Sequence, residues 1–264
     1  MRDSYETLSL DRSHEHILLL TMNRPEARNA MNTQMGLDLL DVFMSLVLDP
    51  EDYRVVLLTG SGDKAFCAGG DLKERRGMTD EAWRKQHAIF EQAIYRLMDS
   101  PIPVIAAVNG AAFGGGCEIA LACDFIYAAE SARFALTEVT LGIIPGAGGT
   151  QNLPRAAGSR RGKEVLMTGA PFTAAQGLDW GIVNSVCAPA ELLERTLETA
   201  QRIADNAPLS VRQIKRAVDL GIGVDRVTGL GIEIEAYNRL VPTEDRHEGV
   251  LAFNEKRKPR FRGR

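Results

Sequence analysis

The stretch Asn109-Gly110-Ala111-Ala112-Phe113-Gly114-Gly115-Gly116-Cys117-Glu118 follows the apolar run Val104 to Asn109 and leads into the apolar segment Ile119 to Cys123. Three consecutive glycines that open a helix leave backbone N–H groups unpaired and unshielded, and the helix dipole adds positive potential there. Such a backbone attracts an oxyanion. Glycines also serve close packing between elements, so both interpretations stay open for the glycines alone. Glu118 favours a functional site, because a carboxylate among apolar neighbours is rarely idle.

Two further glycine-rich stretches resemble the first. Lys64-Ala65-Phe66-Cys67-Ala68-Gly69-Gly70-Asp71-Leu72 follows a strand-like run and offers a second backbone without side chains, so that a two-donor oxyanion hole is possible. The third stretch, Gly142 to Thr150, comes soon after Glu138, a second glutamate in apolar surroundings. Two glutamates in one site can do paired acid/base work. From spacing alone, however, a surface or capping role for Glu138 is the stronger interpretation.

The chain repeats one local pattern three times, in which a short β-branched run is followed by glycines and a helical segment. The runs are Arg54 to Thr59, Val104 to Asn109 and Phe125 to Ala129. After about residue 190 the pattern changes to helical periodicity without convincing strands. We therefore predict an α/β fold with a core over residues 1–190 and a helical region over residues 191–264. Its helices are expected at Glu191 to Asp205, Ser210 to Leu220, Ile232 to Leu240 and Thr243 to Lys256.

Composition limits the classes of protein to consider. The 264 residues are 45% hydrophobic and 25% charged, which is typical of a globular protein with a sizeable core. The net charge of -4 gives no overall attraction to nucleic acid or anionic membrane. Four cysteines without CxxC spacing, apolar runs too short to span a bilayer and a charged N-terminus predict a reducing, cytoplasmic location and no membrane insertion.

Several alternative motifs are weak. Gly60-Ser61-Gly62-Asp63-Lys64-Ala65 matches a dinucleotide fingerprint, but no helix is expected at its third glycine position. Gly146 to Thr150 lacks the lysine of a phosphate-binding loop. The histidines have no metal-ligand spacing, so we predict no metal and interpret His14, His16, His87 and His247 as surface residues. Cys67 and Cys117 adjoin the glycine stretches without a histidine partner and are expected to be small buried thiols.

The ordered motifs resemble the enoyl-CoA hydratase/isomerase, or crotonase, superfamily. The resemblance extends from Asn23-Arg24-Pro25-Glu26-Ala27-Arg28-Asn29-Ala30 through the glycine stretches to Thr243 to Gly249 and Phe253 to Lys258. It implies a spiral of repeated ββα units and a helical C-terminal region that forms trimers, commonly paired into hexamers. It also implies an acyl-CoA substrate and no cofactor other than the coenzyme A of that substrate.

The resemblance assigns roles by matching position. Glu118 and Glu138 match the catalytic pair of the hydratases, the N–H groups of Gly70 and Gly115 match the oxyanion hole, and Gly146 matches a position that orients water. Glu26 stands where a lysine is frequent, so one phosphate contact is absent or supplied by Arg28. The residues expected at the substrate and coenzyme A are Arg24, Arg28, Ala68, Gly70, Asp71, Leu72, Lys73 and Gly115, with Phe253 and Lys256 reaching a neighbouring subunit.

The implied activity is reversible syn addition of water to a 2-enoyl-CoA, with Glu118 as base and Glu138 as acid. Alternatives of the same fold are an enoyl-CoA isomerase, a decarboxylase or a thioester hydrolase. RNA binding is a remote alternative, since six of the last nine residues are basic but no aromatic residues alternate with them; that tail also fits a solvated terminus. The segment Glu74 to Met98 is expected to build part of the acyl pocket, although Met78, Trp83, Phe90 and Met98 have the helical spacing of core residues.

Overall fold

The chain forms ten strands and eleven α-helices, in a computed structural model that describes residues 1–264. The strands are β1 (Leu8–Asp11), β2 (Ile17–Met22), β3 (Val55–Gly60), β4 (Ala65–Cys67), β5 (Val104–Val108), β6 (Ala111–Phe113), β7 (Phe125–Ala129), β8 (Arg133–Ala135), β9 (Phe172–Thr173) and β10 (Ser185–Cys187). The helices are α1 (Thr33–Leu48), α2 (Leu72–Arg75), α3 (Asp80–Met98), α4 (Gly115–Ala122), α5 (Gly149–Ala157), α6 (Ser159–Thr168), α7 (Ala174–Asp179), α8 (Leu192–Ala204), α9 (Pro208–Gly221), α10 (Arg226–Leu240) and α11 (Glu244–Glu255). Short 3₁₀ helices occur at Pro25–Ala27, Glu138–Leu141 and Pro189–Glu191.

Two sheets run side by side through the core. The larger has the order β1-β2-β3-β5-β7-β10 and the smaller the order β4-β6-β8-β9. In each of the pairs β3/β4, β5/β6 and β7/β8, the first strand joins the large sheet and the second joins the small one, mostly in parallel register. The chain thus advances as a spiral of ββα units, which confirms the predicted fold class.

The longer strands lie close to where the sequence predicts them, since β5 and β7 match two of the three runs. The second strand of each unit did not emerge from the residue pattern. Strands β4, β6 and β8 have three residues each, and β4 and β6 lie inside glycine-rich stretches that we interpreted as loops. Three residues are too few to establish an alternating pattern.

The large sheet is buried on both faces, and β3 shows how. Val56 and Leu58 belong to the main core with helices α1 and α3, whereas Val55 and Leu57 pack with Ala200 of α8 on the opposite face. A parallel sheet needs such cover on both sides, which explains why its strands are almost continuously apolar. The sheet therefore holds the ends of β3 and β5, and the glycine-rich segments after them, in fixed positions.

The helical C-terminal region is present, with boundaries that differ from the prediction by up to about six residues at the start of α10. The division at residues 190 and 191 stays a prediction, and α8 packs directly on the sheet of the preceding region. In contrast, α9 and α10 pack mainly against each other and bury only Pro208 and Ala236. Their remaining apolar side chains are largely exposed.

The basic tail is not a free solvated terminus. Asp245 accepts hydrogen bonds from the backbone N–H groups of Arg262 and Gly263 at 2.7 and 2.8 Å. Arg54, at the start of β3, donates to the carbonyl oxygen of Phe261 at 2.9 Å. Arg257 forms a two-pronged ion pair with Glu248. These contacts return the tail onto α11 and the core, so the tail is held in place, although most of its residues are exposed to solvent.

The structure also tests the alternative motifs. Gly60 ends β3 and Ala65 begins β4, so no helix opens in the segment that matched the dinucleotide fingerprint. No group of three or more histidine, cysteine, aspartate or glutamate side chains could hold a metal ion. None of the helices combines the length and the apolar composition that crossing a membrane requires.

Candidate active site

The three glycine-rich segments meet at one cavity of about 100 Å³. Its wall includes Gly70 from the segment after β4, Gly115 from the start of α4, and Gly146 from the segment before α5. Both Glu118 and Glu138 line the same cavity. The spiral places these segments together because the strands before them are neighbours in the two sheets. The structure therefore brings together the residues predicted to form the oxyanion hole, the catalytic pair and the water position.

Two backbone donors face this cavity without a protein partner. The N–H of Gly115 begins α4, where no intrahelical acceptor exists, and the N–H of Gly70 makes no backbone or side-chain hydrogen bond. The two are close, because a β-carbon placed on Gly115 would lie 3.9 Å from the backbone nitrogen of Gly70. An oxygen atom bearing negative charge would satisfy both donors.

Glycine is required here for packing as well. A β-carbon on Gly116 would lie 2.0 Å from the carbonyl oxygen of Cys67, so only glycine lets α4 approach β4 this closely. Gly69 has a φ of +94°, and its β-carbon would lie 2.7 Å from the carbonyl oxygen of Phe113. The two interpretations of the glycines, close packing and exposed donors, therefore both hold at neighbouring positions. The packing glycines fix the distance between the donor glycines.

Glu118 is held rigidly in the first turn of α4 and is only 4% exposed. Its Oε1 accepts hydrogen bonds from the N–H of Ala147 at 2.8 Å and of Gly149 at 2.9 Å. Gly149 begins α5, so the helix dipole also favours negative charge on this carboxylate. Burial outweighs these donors and raises the pKa of Glu118 to about 7. At neutral pH such a group both accepts and releases a proton readily.

Glu138 lies at the start of a 3₁₀ helix and is 8% exposed, so the surface or capping role was wrong. Its Oε2 is buried without any hydrogen-bond partner, and its Oε1 is 3.2 Å from where a β-carbon on Gly114 would lie. Burial raises the pKa of Glu138, which favours its protonated form. The charge of Glu138 also raises the pKa of Glu118, so the two carboxyls affect each other's ionisation.

His87 is a cavity residue that the sequence analysis placed on the surface. Its ring packs against Gly146, since a β-carbon there would lie 2.5 Å from both Cε1 and Nε2 of the ring. The surface interpretation of His87 was therefore wrong. A signal was available, because His87 lies three residues before Phe90, on the same face of α3. Both side chains line the cavity.

Arg75, at the end of α2, is a second cavity residue that the sequence analysis did not single out. The segment Glu74 to Met98 contributes Arg75, His87 and Phe90 to the cavity wall, and its role in the acyl pocket stays a prediction. Phe90 is buried and faces the core. Trp83 was predicted to face the core, but it is half-buried and stacks on the guanidinium of Arg75.

The residues predicted to contact coenzyme A near the cavity lie in two environments. Arg24 forms an ion pair with Asp71 at 3.1 Å, and Asp71 also caps α2 by accepting from the N–H of Lys73 and Glu74. Leu72 and Lys73 on α2 are exposed, and Leu72 also lines the cavity. Arg24 and Asp71 thus bind each other, and the side chains of Leu72 and Lys73 are available to a ligand. The contacts of all four residues with coenzyme A stay predictions.

The remaining predicted contacts are more remote or more exposed. Arg28 is exposed and has a left-handed backbone conformation, and its carbonyl oxygen accepts from the N–H of Ala68. Phe253 on α11 is 84% exposed, and the exposed Lys256 caps that helix. Both lie in the region expected to reach a neighbouring subunit.

The cysteines beside the glycine segments are buried thiols, as expected. Cys67 and Cys117 are free and fully buried. Burial raises the pKa of Cys67 to about 11 and raises the pKa of Cys117 as well. A thiol with a raised pKa is a poor nucleophile at neutral pH.

Two free backbone donors and two buried carboxyls around one cavity define an enzyme that stabilises an oxyanion and moves protons. The enoyl-CoA hydratase/isomerase family model matches residues 12–264, and the chain belongs to this family.

Relatives agree with this placement. The short-chain-enoyl-CoA hydratase of Clostridium acetobutylicum is 40% identical over 242 residues, which are 92% of each chain. The crotonyl-CoA hydratase of Syntrophomonas wolfei is 40% identical over 259 residues, which are 98% of each chain. A crystal structure of enoyl-CoA hydratase from Bacillus anthracis superposes with a TM-score of 0.96 at 44% identity, covering 98% of this chain and 100% of that one.

Proposed function

We propose that this protein is an enoyl-CoA hydratase that adds water reversibly, in the syn sense, to a 2-enoyl-CoA and gives a 3-hydroxyacyl-CoA. The observation that carries the proposal is the meeting of Glu118 and Glu138, both buried, with the free N–H groups of Gly70 and Gly115 in one cavity. Two carboxyls favour hydration over double-bond isomerisation, since isomerisation needs only one group to carry a proton between two carbons.

The oxyanion donors make the addition possible. When the oxygen of water bonds to the β-carbon, the electrons of the double bond move toward the thioester and place negative charge on its carbonyl oxygen. The N–H groups of Gly70 and Gly115 are preorganised to receive that oxygen. Removing one donor from such a site typically costs about 2.7 to 4 kcal/mol of transition-state stabilisation. Backbone donors cannot be deleted by changing a side chain, so their geometry depends on the packing glycines.

The two glutamates divide the proton transfers. Glu118, ionised, takes a proton from the attacking water, and Glu138, protonated, delivers one to the α-carbon. The N–H of Gly146 also faces the Glu118 carboxylate and lowers its pKa, which fits a role for this segment in holding the water. One turnover leaves Glu118 protonated and Glu138 ionised, so a proton must return before the next hydration. The mutual effect of the two carboxyls on ionisation favours a single shared proton.

All the groups that this chemistry requires are protein groups, so we propose that the enzyme needs no cofactor beyond the coenzyme A carried by its substrate. The four free and buried cysteines fit a reducing compartment such as the cytoplasm. The acidic net charge gives no support to the RNA-binding alternative.

The protein is also proposed to assemble as a homotrimer, or as a hexamer of two trimers. Helices α9, α10 and α11 expose large apolar side chains that a monomer rarely leaves in water. The most exposed in and beside these helices are Ile222 at 73%, just after α9, Val227 at 80% and Phe253 at 84%. In such an assembly Phe253 and Lys256 would lie beside the coenzyme A of a neighbouring subunit.

The two glutamates provide the test of the hydratase proposal. Glu118→Gln and Glu138→Gln should each keep acyl-CoA binding and lose roughly 100- to 10,000-fold in hydration, because glutamine preserves shape but cannot exchange the proton. The loss of enoyl-thioester absorbance with a series of 2-enoyl-CoAs measures hydration, and calorimetry with a saturated acyl-CoA measures binding. The exposed Glu194→Gln serves as the matched control.

The double variant separates hydratase from isomerase. Its loss should fall far below the product of the two single losses, because groups that act on one water behave as a unit. An isomerase would lose double-bond migration with one variant and keep it with the other. Near-normal hydration by either single variant would show that the two-glutamate mechanism is wrong.

A further inference from the structure

The guanidinium of Arg75 is held in place without a carboxylate partner. Its Nε donates to Oε1 of Gln86 at 2.7 Å, and its carbon Cζ lies 4.1 Å from the ring centre of Trp83 and 5.4 Å from that of Phe90. Arg75 forms no ion pair, because the carboxylate of the neighbouring Glu74 accepts from Gln86 and from the N–H of Thr33, although its charge still acts on Arg75 and, against the effect of burial, raises its pKa. Burial lowers the pKa of Arg75, which means that an anion beside it would offset a desolvation cost already present.

Arg75 lies where two cavities meet. The inner cavity contains the glutamates and the oxyanion donors. An outer cavity of about 520 Å³ continues from it, and the two share Arg75, His87, Ile143, Ile144 and Gly146. The reacting atoms of the proposed substrate occupy the inner cavity. If the thioester oxygen lies at the Gly70 and Gly115 donors, an acyl chain that continues into the outer cavity passes Arg75.

We propose that this enzyme prefers 2-enoyl-CoA substrates whose acyl chain ends in a carboxylate, and that Arg75 binds this carboxylate. The assignment rests on the proposed hydratase function and names the substrate class of the same site. The Nη atoms of Arg75 make no hydrogen bond within the protein, so its planar fork is free to bind both carboxylate oxygens. His87 lines the same two cavities and carries a ring nitrogen that can also hydrogen-bond a carboxylate.

The surroundings favour an acyl carboxylate over a phosphate of coenzyme A. Arg75 is half-buried beside aromatic rings and lines the cavity with the apolar Ile143 and Ile144. Of the two cations expected near the phosphates, Arg28 is exposed and Arg24 is already paired with Asp71. Of the other charged groups on the outer cavity, Arg84 is cationic and Glu91 is anionic, and neither lines the inner cavity. A purely apolar acyl chain would displace water from the Arg75 guanidinium without supplying a partner for its charge, which is unfavourable.

The experiment compares two thioesters with five acyl carbons, pent-2-enoyl-CoA and 4-carboxybut-2-enoyl-CoA. The wild-type kcat/KM should be roughly 10- to 100-fold higher for the carboxylated thioester, as expected of a charge-assisted hydrogen-bonded pair. Arg75→Met should abolish this preference, because the loss in kcat/KM should be larger for the carboxylated thioester than for pent-2-enoyl-CoA. Arg75→Lys should retain part of it, because lysine keeps the charge but not the planar fork. The adjacent, exposed Arg76→Met is the control and should change neither rate.

Binding of the saturated analogues, 4-carboxybutanoyl-CoA and pentanoyl-CoA, gives a readout independent of hydration. The same preference should appear in Kd and disappear in Arg75→Met. A preference for pentanoyl-CoA, or equal binding of the two, would overturn the inference even if hydration is fast. An equal loss for both analogues and for free coenzyme A in Arg75→Met would show that Arg75 binds the coenzyme, and would also overturn it. Absent hydration of both enoyl thioesters would instead refute the hydratase function, and the Kd values would still decide the carboxylate preference.

Discussion

Replacing Glu118 by glutamine should change the free energy of unfolding in a pH-dependent way. Burial raises the pKa of this carboxyl from 4.5 to about 7 in the folded protein. Between these values the folded state binds more protons than the unfolded chain, so stability falls as pH rises. The contribution of Glu118 to stability is fully present below the pKa of the unfolded chain and is lost as the pH rises through the pKa of the folded protein. Glutamine does not titrate and removes this dependence.

The magnitude follows from the two pKa values. One pKa unit corresponds to about 1.4 kcal/mol, so the whole effect is about 3.4 kcal/mol. Between about pH 5.5 and about pH 8.5, roughly 2 kcal/mol of it is lost by the wild type. Glu118→Gln should therefore gain roughly 2 kcal/mol relative to the wild type over that interval. The variant should be relatively most stable in alkaline solution, where the wild type buries a charged carboxylate.

Denaturant unfolding at the two pH values measures this difference. The protein concentration must be fixed, because the stability of an oligomer depends on it. Glu194→Gln, which removes an exposed carboxylate, corrects for the general effect of net charge. A difference between Glu118→Gln and the wild type that is the same at both pH values would refute the argument that burial dominates the ionisation of Glu118.

Three further outcomes are expected. The kcat/KM of hydration should fall as pH drops below about 7, where the catalytic base Glu118 becomes protonated; a rate that is flat down to about pH 5 would contradict this. Gly116→Ala should lower the free energy of unfolding by about 1 to 3 kcal/mol or more in denaturant unfolding, because its β-carbon would overlap the carbonyl oxygen of Cys67. The control Gly231→Ala on α10 should not lower it, because a β-carbon there meets no atom within 4 Å. Val227→Glu should shift the protein toward the monomer in sedimentation experiments, whereas the control Met167→Glu on α6 should leave the assembly unchanged. An unchanged assembly in Val227→Glu would exclude the exposed face of α10 from the interface.

Much of the site was predictable because its chemistry depends on residue types that are conspicuous in a sequence. Three adjacent glycines before an apolar helix predict exposed donors, and a glutamate inside that helix predicts a functional carboxylate. The apolar strands β3, β5 and β7 were also visible, since a parallel sheet covered on both faces requires continuous apolar runs. These features depend on local sequence and on burial alone.

What the residue pattern missed depends on contacts between distant segments. Glu138 was ambiguous because its burial comes from packing against the segment of Gly114, more than 20 residues earlier. His87 and Arg75 resembled ordinary surface residues of a charged helical segment, and only the fold places them beside Gly146 and Gly70. The second strands of the ββα units, β4, β6 and β8, are too short to show an alternating pattern in the sequence. They form because each pairs with its neighbour in the smaller sheet.

The return of the tail onto α11 has a practical consequence for recombinant work. The carbonyl oxygen of the last residue, Arg264, accepts a hydrogen bond from the N–H of Asp245, and Asp245 also holds the two residues before it. A C-terminal affinity tag would begin at a backbone that is already engaged, beside the helix expected to approach a neighbouring active site.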